Sequence, residues 1–196
     1  MKNSDTPSRL VEVAARLIHS QGYAATGVAR ILRDAEVGSG SLYYFFPTKE
    51  DLLLAVLSQY RRRLDEEIFD PVRERYSDPV DRVFGVLDFY RRFLEATGCT
   101  LGCPIGNLAG ELGDSHSSAR QRLHELFAAW REGIRGYLEE GRSQFPPETD
   151  LDSLATLVLS VMEGAVMQAR LARTLEPFDR STSMLREFVE RLRSGA

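Results

Sequence analysis

Val37-Gly-Ser-Gly-Ser-Leu-Tyr-Tyr-Phe-Phe-Pro-Thr-Lys-Glu-Asp-Leu-Leu53 decides how this 196-residue chain folds. Its first part predicts a short helix from Ser39 to Phe46, with Leu42 and Phe46 one turn apart as core anchors. Ser39, Gly40, Ser41, Tyr43 and Tyr44 fall outside that apolar face. Pro47 ends the helix, because proline cannot continue the hydrogen-bond ladder. Thr48 and Asp51 then stand three residues apart, the spacing of a capping box that opens the next helix. Two adjacent tyrosines left outside a core are costly unless their rings and hydroxyls find partners elsewhere.

Upstream, Val28, Ile31, Leu32 and Ala35 repeat at helical spacing. Before them Leu10, Val13, Ala14, Leu17 and Ile18 form one apolar stripe, opened by Thr6-Pro7 and stopped at Gly22. The segment from residue 26 to 46 therefore offers a supporting helix, a tight turn and a second helix with small, hydroxyl-bearing residues at its start. That is the arrangement of a helix-turn-helix, whose second helix presents its N-terminal residues to base edges in the major groove. Val28, Ile31, Leu32, Val37, Leu42 and Phe46 are its inward positions.

Downstream the pattern stays helical, without strand alternation or repeats. A long fourth helix runs from Thr48 toward Asp70-Pro71. Asp78-Pro79 opens a helix that stops near Gly98, and a short one follows Pro104. Ser118 to Gly141 is long, Pro146-Pro147 break the chain, Leu151 to Ala172 is the most apolar run, and Ser181 to Arg193 closes the sequence. The expectation is an all-α protein of about nine helices. Residues 1–50 form a helix-turn-helix domain, and residues 51–196 a helical ligand-binding and dimerisation domain.

Charge permits nucleic-acid binding without arguing for it. The net charge is −4, with a slight excess of bases before residue 50 and an excess of acids after it. Affinity for DNA would come from a few placed contacts and paired binding, not from a broad basic field. Cys99 and Cys103 are the only cysteines and make no disulfide framework. No apolar run has signal or membrane-spanning length, so a cytoplasmic protein is expected. No metal site, cofactor or catalytic string is expected either. His19, His116 and His124 belong to no recognisable catalytic motif.

Gly-Tyr-Ala-Ala-Thr-Gly-Val-Ala-Arg-Ile-Leu from Gly22, followed by the string from Val37, resembles the TetR family of bacterial transcriptional regulators. The resemblance implies that Ser39, Gly40 and Ser41 meet bases at the start of the recognition helix. It implies that Tyr43 and Tyr44 touch phosphate, sugar or thymine methyls, and that Thr26 and Lys49 grip the phosphate backbone. There are departures from the family pattern. Glu36 stands at the turn where many relatives have glycine, and a side chain is strained at positive φ. Ser39 replaces a frequent lysine, Phe45 a frequent histidine, and Gly27 is a weak helix cap.

For the back half the resemblance implies a ligand cavity among the middle helices and a homodimer through the last two. Leu154, Val158, Val161, Met162, Ala165 and Ala169, with Met184, Leu185, Phe188, Val189 and Leu192, are the residues expected at that interface. Phe89, Phe93, Cys103, Asn107, Phe127, Trp130 and Met162 are the candidate ligand contacts. The expected function is a homodimeric repressor, no enzyme, released from a pseudo-palindromic double-stranded operator by a small-molecule effector. The alternative is a thiol-based sensor or enzyme using Cys103, which precedes a helix N-terminus where a thiolate is stabilised. Asn107 and Glu111, one turn apart on the polar side of that short helix, read as a solvated face, the alternative being that they line a pocket or couple it to the DNA domain.

Overall fold

In the computed structural model, which describes residues 6–195, every regular element is helical. In order these are α1 (Thr6–Gln21), α2 (Val28–Ala35), α3 (Ser39–Phe45), α4 (Lys49–Arg63), α5 (Asp70–Arg75), α6 (Pro79–Ala96), α7 (Pro104–Leu112), α8 (Ser117–Glu140), α9 (Leu151–Ala172) and α10 (Glu176–Ser194). A π-helical turn, Leu64–Phe69, joins α4 to α5 without a break, so the described residues form nine separate rods.

The chain divides into two compact units. One comprises residues 6–62 with Pro104–Leu126; the other comprises Arg63–Cys103 with residues 127–195. The linear division at residue 50 follows a different line, because α4 and α7 both pack with the first three helices.

In the first unit Leu10, Ala14, Leu17 and Ile18 of α1 are buried with Ile31 and Ala35 of α2 and Leu42 of α3. Leu52, Leu53, Val56 and Leu57 extend this core along α4, and the Tyr60 hydroxyl donates to the Ala15 carbonyl at 3.3 Å. Each such aliphatic side chain contributes about 1.5–3 kcal/mol by leaving water. The capping box is present in both directions. Asp51 N–H donates to Thr48 Oγ1 at 3.1 Å, and Thr48 N–H donates to Asp51 Oδ2 at 2.9 Å.

In the second unit Asp78 caps α6, accepting from Val80 and Asp81 N–H, and Asp150 caps α9, accepting from Asp152 and Ser153 N–H. The sequence reading stops the fourth helix at Pro71, yet the helical path continues to Arg75. Proline lacks an N–H and crowds the carbonyl four residues back. The π turn just before it widens the helix there, with Asp70 N–H bonding the Asp65 carbonyl, so the ring is accommodated. Phe69, at the end of that turn, lies on the Gly133 backbone, where a Cβ would stand 2.4 Å from the ring. Its carbonyl accepts from the buried Tyr137 hydroxyl at 2.6 Å.

α10 starts at Glu176, five residues before the expected Ser181. Pro177 falls in its first turn, where its missing N–H is harmless, and Glu176 and Asp179 complement the positive end. The interface expectation also needs correcting. Leu154, Val158, Met162, Ala165, Ala169, Leu185 and Val189 are buried within this chain. The large apolar side chains exposed on α9 and α10 are Leu157, Met167, Leu171, Met184 and Phe188.

Candidate nucleic-acid interface

The turn between α2 and α3 is built on Glu36. Its backbone is left-handed, φ 54° and ψ 45°, a conformation that costs a side-chain-bearing residue about 1–2 kcal/mol. The turn closes when Val37 N–H reaches back to the Leu32 carbonyl at 3.0 Å and Glu36 N–H to the Arg33 carbonyl at 3.2 Å, a Schellman-type end. The sequence departure at this position is thus a real left-handed glutamate, not a rearranged turn.

α3 then starts at Ser39 behind an extended Gly38, which caps it without a side-chain hydrogen bond. Leu42 is buried and anchors the helix, while Ser39, Gly40 and Ser41 are exposed. Tyr43 and Tyr44 are 54% and 78% exposed, among the most exposed large side chains described. Tyr44 meets the Phe45 ring edge-on, centroids 4.9 Å apart. A Cβ at Gly38 or Gly40 would meet nothing within 4 Å, so this surface is open. Free N–H groups at a helix start, small side chains and two exposed phenols suit phosphate, sugar and base-edge contacts.

Two residues expected to grip phosphate are turned inward. Thr26 is fully buried; its hydroxyl donates to the Gly22 carbonyl at 2.6 Å and accepts from Gln21 Nε2 at 3.2 Å. A side chain that completes the α1–α2 loop in this way is not presented to DNA. Lys49 is half-buried, donates to the Tyr23 carbonyl at 2.6 Å and lies 4.0 Å from the centre of the Tyr23 ring. Burial holds its ammonium below the usual lysine range, and Glu111 opposes that shift.

Glu111 on α7 is the partner that holds this loop. Its Oε2 accepts from Tyr23 N–H at 2.9 Å and its Oε1 from Ala24 N–H at 2.7 Å. The carboxylate therefore straps the loop that leads into α2, while the residue itself stays exposed on its helix. Gly22 permits the approach twice over. Its φ is +89°, and a Cβ there would come within 3.0 Å of Glu111 Oε2. His116 packs edge-on against Tyr23 at 5.4 Å, closing the cluster.

The expected ligand contacts divide between the two units. Asn107 lies in α7, within the helix-turn-helix unit, whereas the other six lie in the second unit. There the rings form a chain. Phe89 meets Tyr90 at 5.4 Å, Tyr90 meets Trp130 at 5.2 Å, and Trp130 stacks on Phe127 at 6.4 Å. Trp130 and Met162 are fully buried, while Phe89, Phe93 and Phe127 are partly so. Cys103 does precede α7 at its N-terminus, but the thiol is buried and shares hydrogen bonds with Tyr90 and Glu163. Cys99 and Cys103 are both free thiols. Cys99 adopts φ 54° in the turn after α6, and burial raises its pKa. Glu163 was not singled out in the sequence. An acid in the middle of the most apolar run was the available signal for Glu163.

Two family descriptions match the chain. "Bacterial regulatory proteins, tetR family" covers residues 10–56, and "Tetracyclin repressor-like, C-terminal domain" covers residues 79–185, more than half of the chain. The Bacillus subtilis "HTH-type transcriptional regulator LmrA" is 26% identical over 199 residues, covering 97% of this chain and 100% of that protein. The "HTH-type transcriptional repressor DhaR" of Mycobacterium sp. strain GP1 is 28% identical, covering 93% and 92%. A TetR transcriptional regulator from Chloroflexus aurantiacus is 32% identical, and its crystal structure superposes with a TM-score of 0.83 over 96% of each chain. α3 and its left-handed turn lie within the first of these matched ranges, and the chain is a helix-turn-helix DNA-binding transcriptional regulator of the TetR family.

Proposed function

We propose that this regulator is a cytoplasmic, homodimeric repressor that reads a pseudo-palindromic operator and leaves it when a small molecule occupies the second unit. The observation that carries the reading is the outward array of Ser39, Gly40, Ser41, Tyr43 and Tyr44 on α3, held by a core-anchored Leu42. These five residues are the proposed DNA contacts. Thr26 and Lys49 act behind them, by fixing the loop before α2.

A single short helix reads only a few base pairs, so useful affinity requires two heads related by a twofold axis. The exposed Leu157, Met167, Leu171, Met184 and Phe188 on α9 and α10 support a second copy of the chain as the partner, since apolar side chains grouped on two neighbouring helices mark an association surface. The chain of rings from Phe89 to Phe127, with Cys103, Phe93 and Met162, is the proposed effector environment, consistent with the aromatic lining of small-molecule sites. The effector would act by preferring the conformation whose two heads are wrongly spaced.

Sedimentation and footprinting test this together. The wild-type protein should sediment as a dimer and protect two half-sites about one helical turn apart. The double variant Leu171→Glu, Met184→Glu should be monomeric and lose the footprint. A monomeric wild type that protects a single, asymmetric site contradicts the proposal.

A further inference from the structure

We propose that the second unit binds a protonated organic amine that also carries an oxygen acceptor, with Glu163 as its counter-ion and the Tyr90 and Trp130 rings as walls. This rests on the reading of that unit as effector-binding. It goes further by naming the ligand's charge and the residue that selects it.

Glu163 lies on α9, one helical turn from the buried Leu159 and three residues before the buried Val166. The residue is partly buried, and a carboxyl oxygen shut off from solvent is costly unless it has a partner. The carboxyl shares a hydrogen bond with the Cys103 thiol, yet Oε1 is shut off from solvent and has no hydrogen-bond partner. Trp130, fully buried on α8, likewise has an Nε1–H without an acceptor. Native interiors leave few such groups, and each calls for an explanation.

The two unpartnered atoms belong to one cluster. Trp130 lies against the Tyr90 ring at 5.2 Å, and the Tyr90 hydroxyl shares a hydrogen bond with the same Cys103 that meets Glu163. The cluster therefore offers one unused acceptor of acidic character and one unused donor, amid aromatic rings.

Charge decides the ligand class. An anion is repelled by the carboxyl and by the negative faces of the rings. A neutral hydroxyl can satisfy Oε1 but leaves the buried charge uncompensated, and burial already pushes the Glu163 carboxyl above the usual glutamate range. An ammonium restores the charged form, donates to Oε1 and gains from the aromatic faces. An oxygen elsewhere on the same ligand accepts from Trp130 Nε1–H.

Trp130 is the only tryptophan in the chain, so its fluorescence reports this site alone. The test uses three probes of nearly equal shape: tyramine (cation), tyrosol (neutral) and 4-hydroxyphenylacetate (anion). They are titrated into the full-length protein, with calorimetry as a second readout and release of bound operator as a third. Tyramine should bind at least about tenfold more tightly than tyrosol, a difference of about 1.4 kcal/mol, and the anion should not bind. Glu163→Gln should remove that preference, so that the variant binds tyramine no more tightly than tyrosol. Equal affinity for tyramine and tyrosol on the wild type, or no tyramine binding, overturns the proposal whether or not the variant folds. Tyrosol binding that releases operator equally from wild type and variant would keep the unit an effector domain and still overturn the amine assignment. Operator release by none of the probes, with tyramine bound at Trp130, would leave the amine site standing and count against this unit as the effector switch.

Discussion

Replacing Glu111 should weaken operator binding although the residue lies outside the recognition helix. In the wild type its carboxylate accepts two backbone N–H groups, from Tyr23 at 2.9 Å and Ala24 at 2.7 Å. A hydrogen bond to a charged group contributes about 1.5–3 kcal/mol when buried, and one of these two is exposed, so about 2 kcal/mol for the pair is a reasonable size. Lys49, held against Tyr23, also loses an opposite charge nearby when Glu111 is removed. Without the strap, residues 22–27 sample other conformations, and apparent affinity falls in proportion to the competent fraction. A bias of 2 kcal/mol corresponds to about thirtyfold if the strap alone selects the loop conformation. The Thr26 hydroxyl bond to Gly22 and the Lys49 bond to Tyr23 hold the same loop, so about tenfold is the expected loss for Glu111→Ala. Glu111→Gln keeps one acceptor oxygen and should lose about threefold. Fluorescence anisotropy with labelled operator measures both, and thermal melting reports the accompanying loss of stability. Operator affinity within twofold of wild type for Glu111→Ala, with unchanged melting, would refute the reasoning.

Glu36→Gly should stabilise the protein by about 0.5–1 kcal/mol, because relief of the left-handed backbone exceeds glycine's greater freedom in the unfolded chain; a lower melting temperature contradicts this. Glu163→Gln should show a pH-dependent gain in stability. The folded state holds the Glu163 carboxyl above its ordinary value near 4.5, so between that value and the raised one the native state binds more protons than the unfolded chain. Wild-type stability from this group is therefore lost as pH rises through the window, while glutamine does not titrate. The difference between variant and wild type in urea unfolding should grow from acidic to neutral pH, and a difference that shrinks contradicts the assignment.

The helix-turn-helix was legible because every cue for it is local. Leu42, Pro47 and the Thr48–Asp51 box act within a few residues, and the structure reproduces each of them. The left-handed turn at Glu36 was readable for the same reason, since the chain must reverse there whatever residue it carries. Long-range features had no such cue. Glu111 meets Tyr23 across 88 positions, and an exposed acid on a short helix carries no sign in sequence of which loop it straps. The inward bonds of Thr26 and Lys49 had no cue of their own, because hydroxyl and ammonium groups near a reading head suit phosphate and loop carbonyl equally well. Helix ends failed where proline was read only as a stop. Pro71 is carried by a π turn, so the helical path runs on past it. The face of α9 expected at the dimer interface is the strongest apolar pattern, and for that reason it is the face this chain buries for itself.

The central claim is that α3 reads DNA through its open face. Selection of bound sequences from random double-stranded DNA, run side by side with wild type and Tyr44→Ala, measures it directly. The wild type should enrich a pseudo-palindrome whose half-sites lie about one helical turn apart, with binding that weakens steeply as salt rises. Tyr44→Ala, which removes a 78% exposed ring and disturbs no buried side chain, should lose that enrichment while remaining folded. No enriched sequence with wild type, or the same palindrome recovered equally by the variant, would contradict the account.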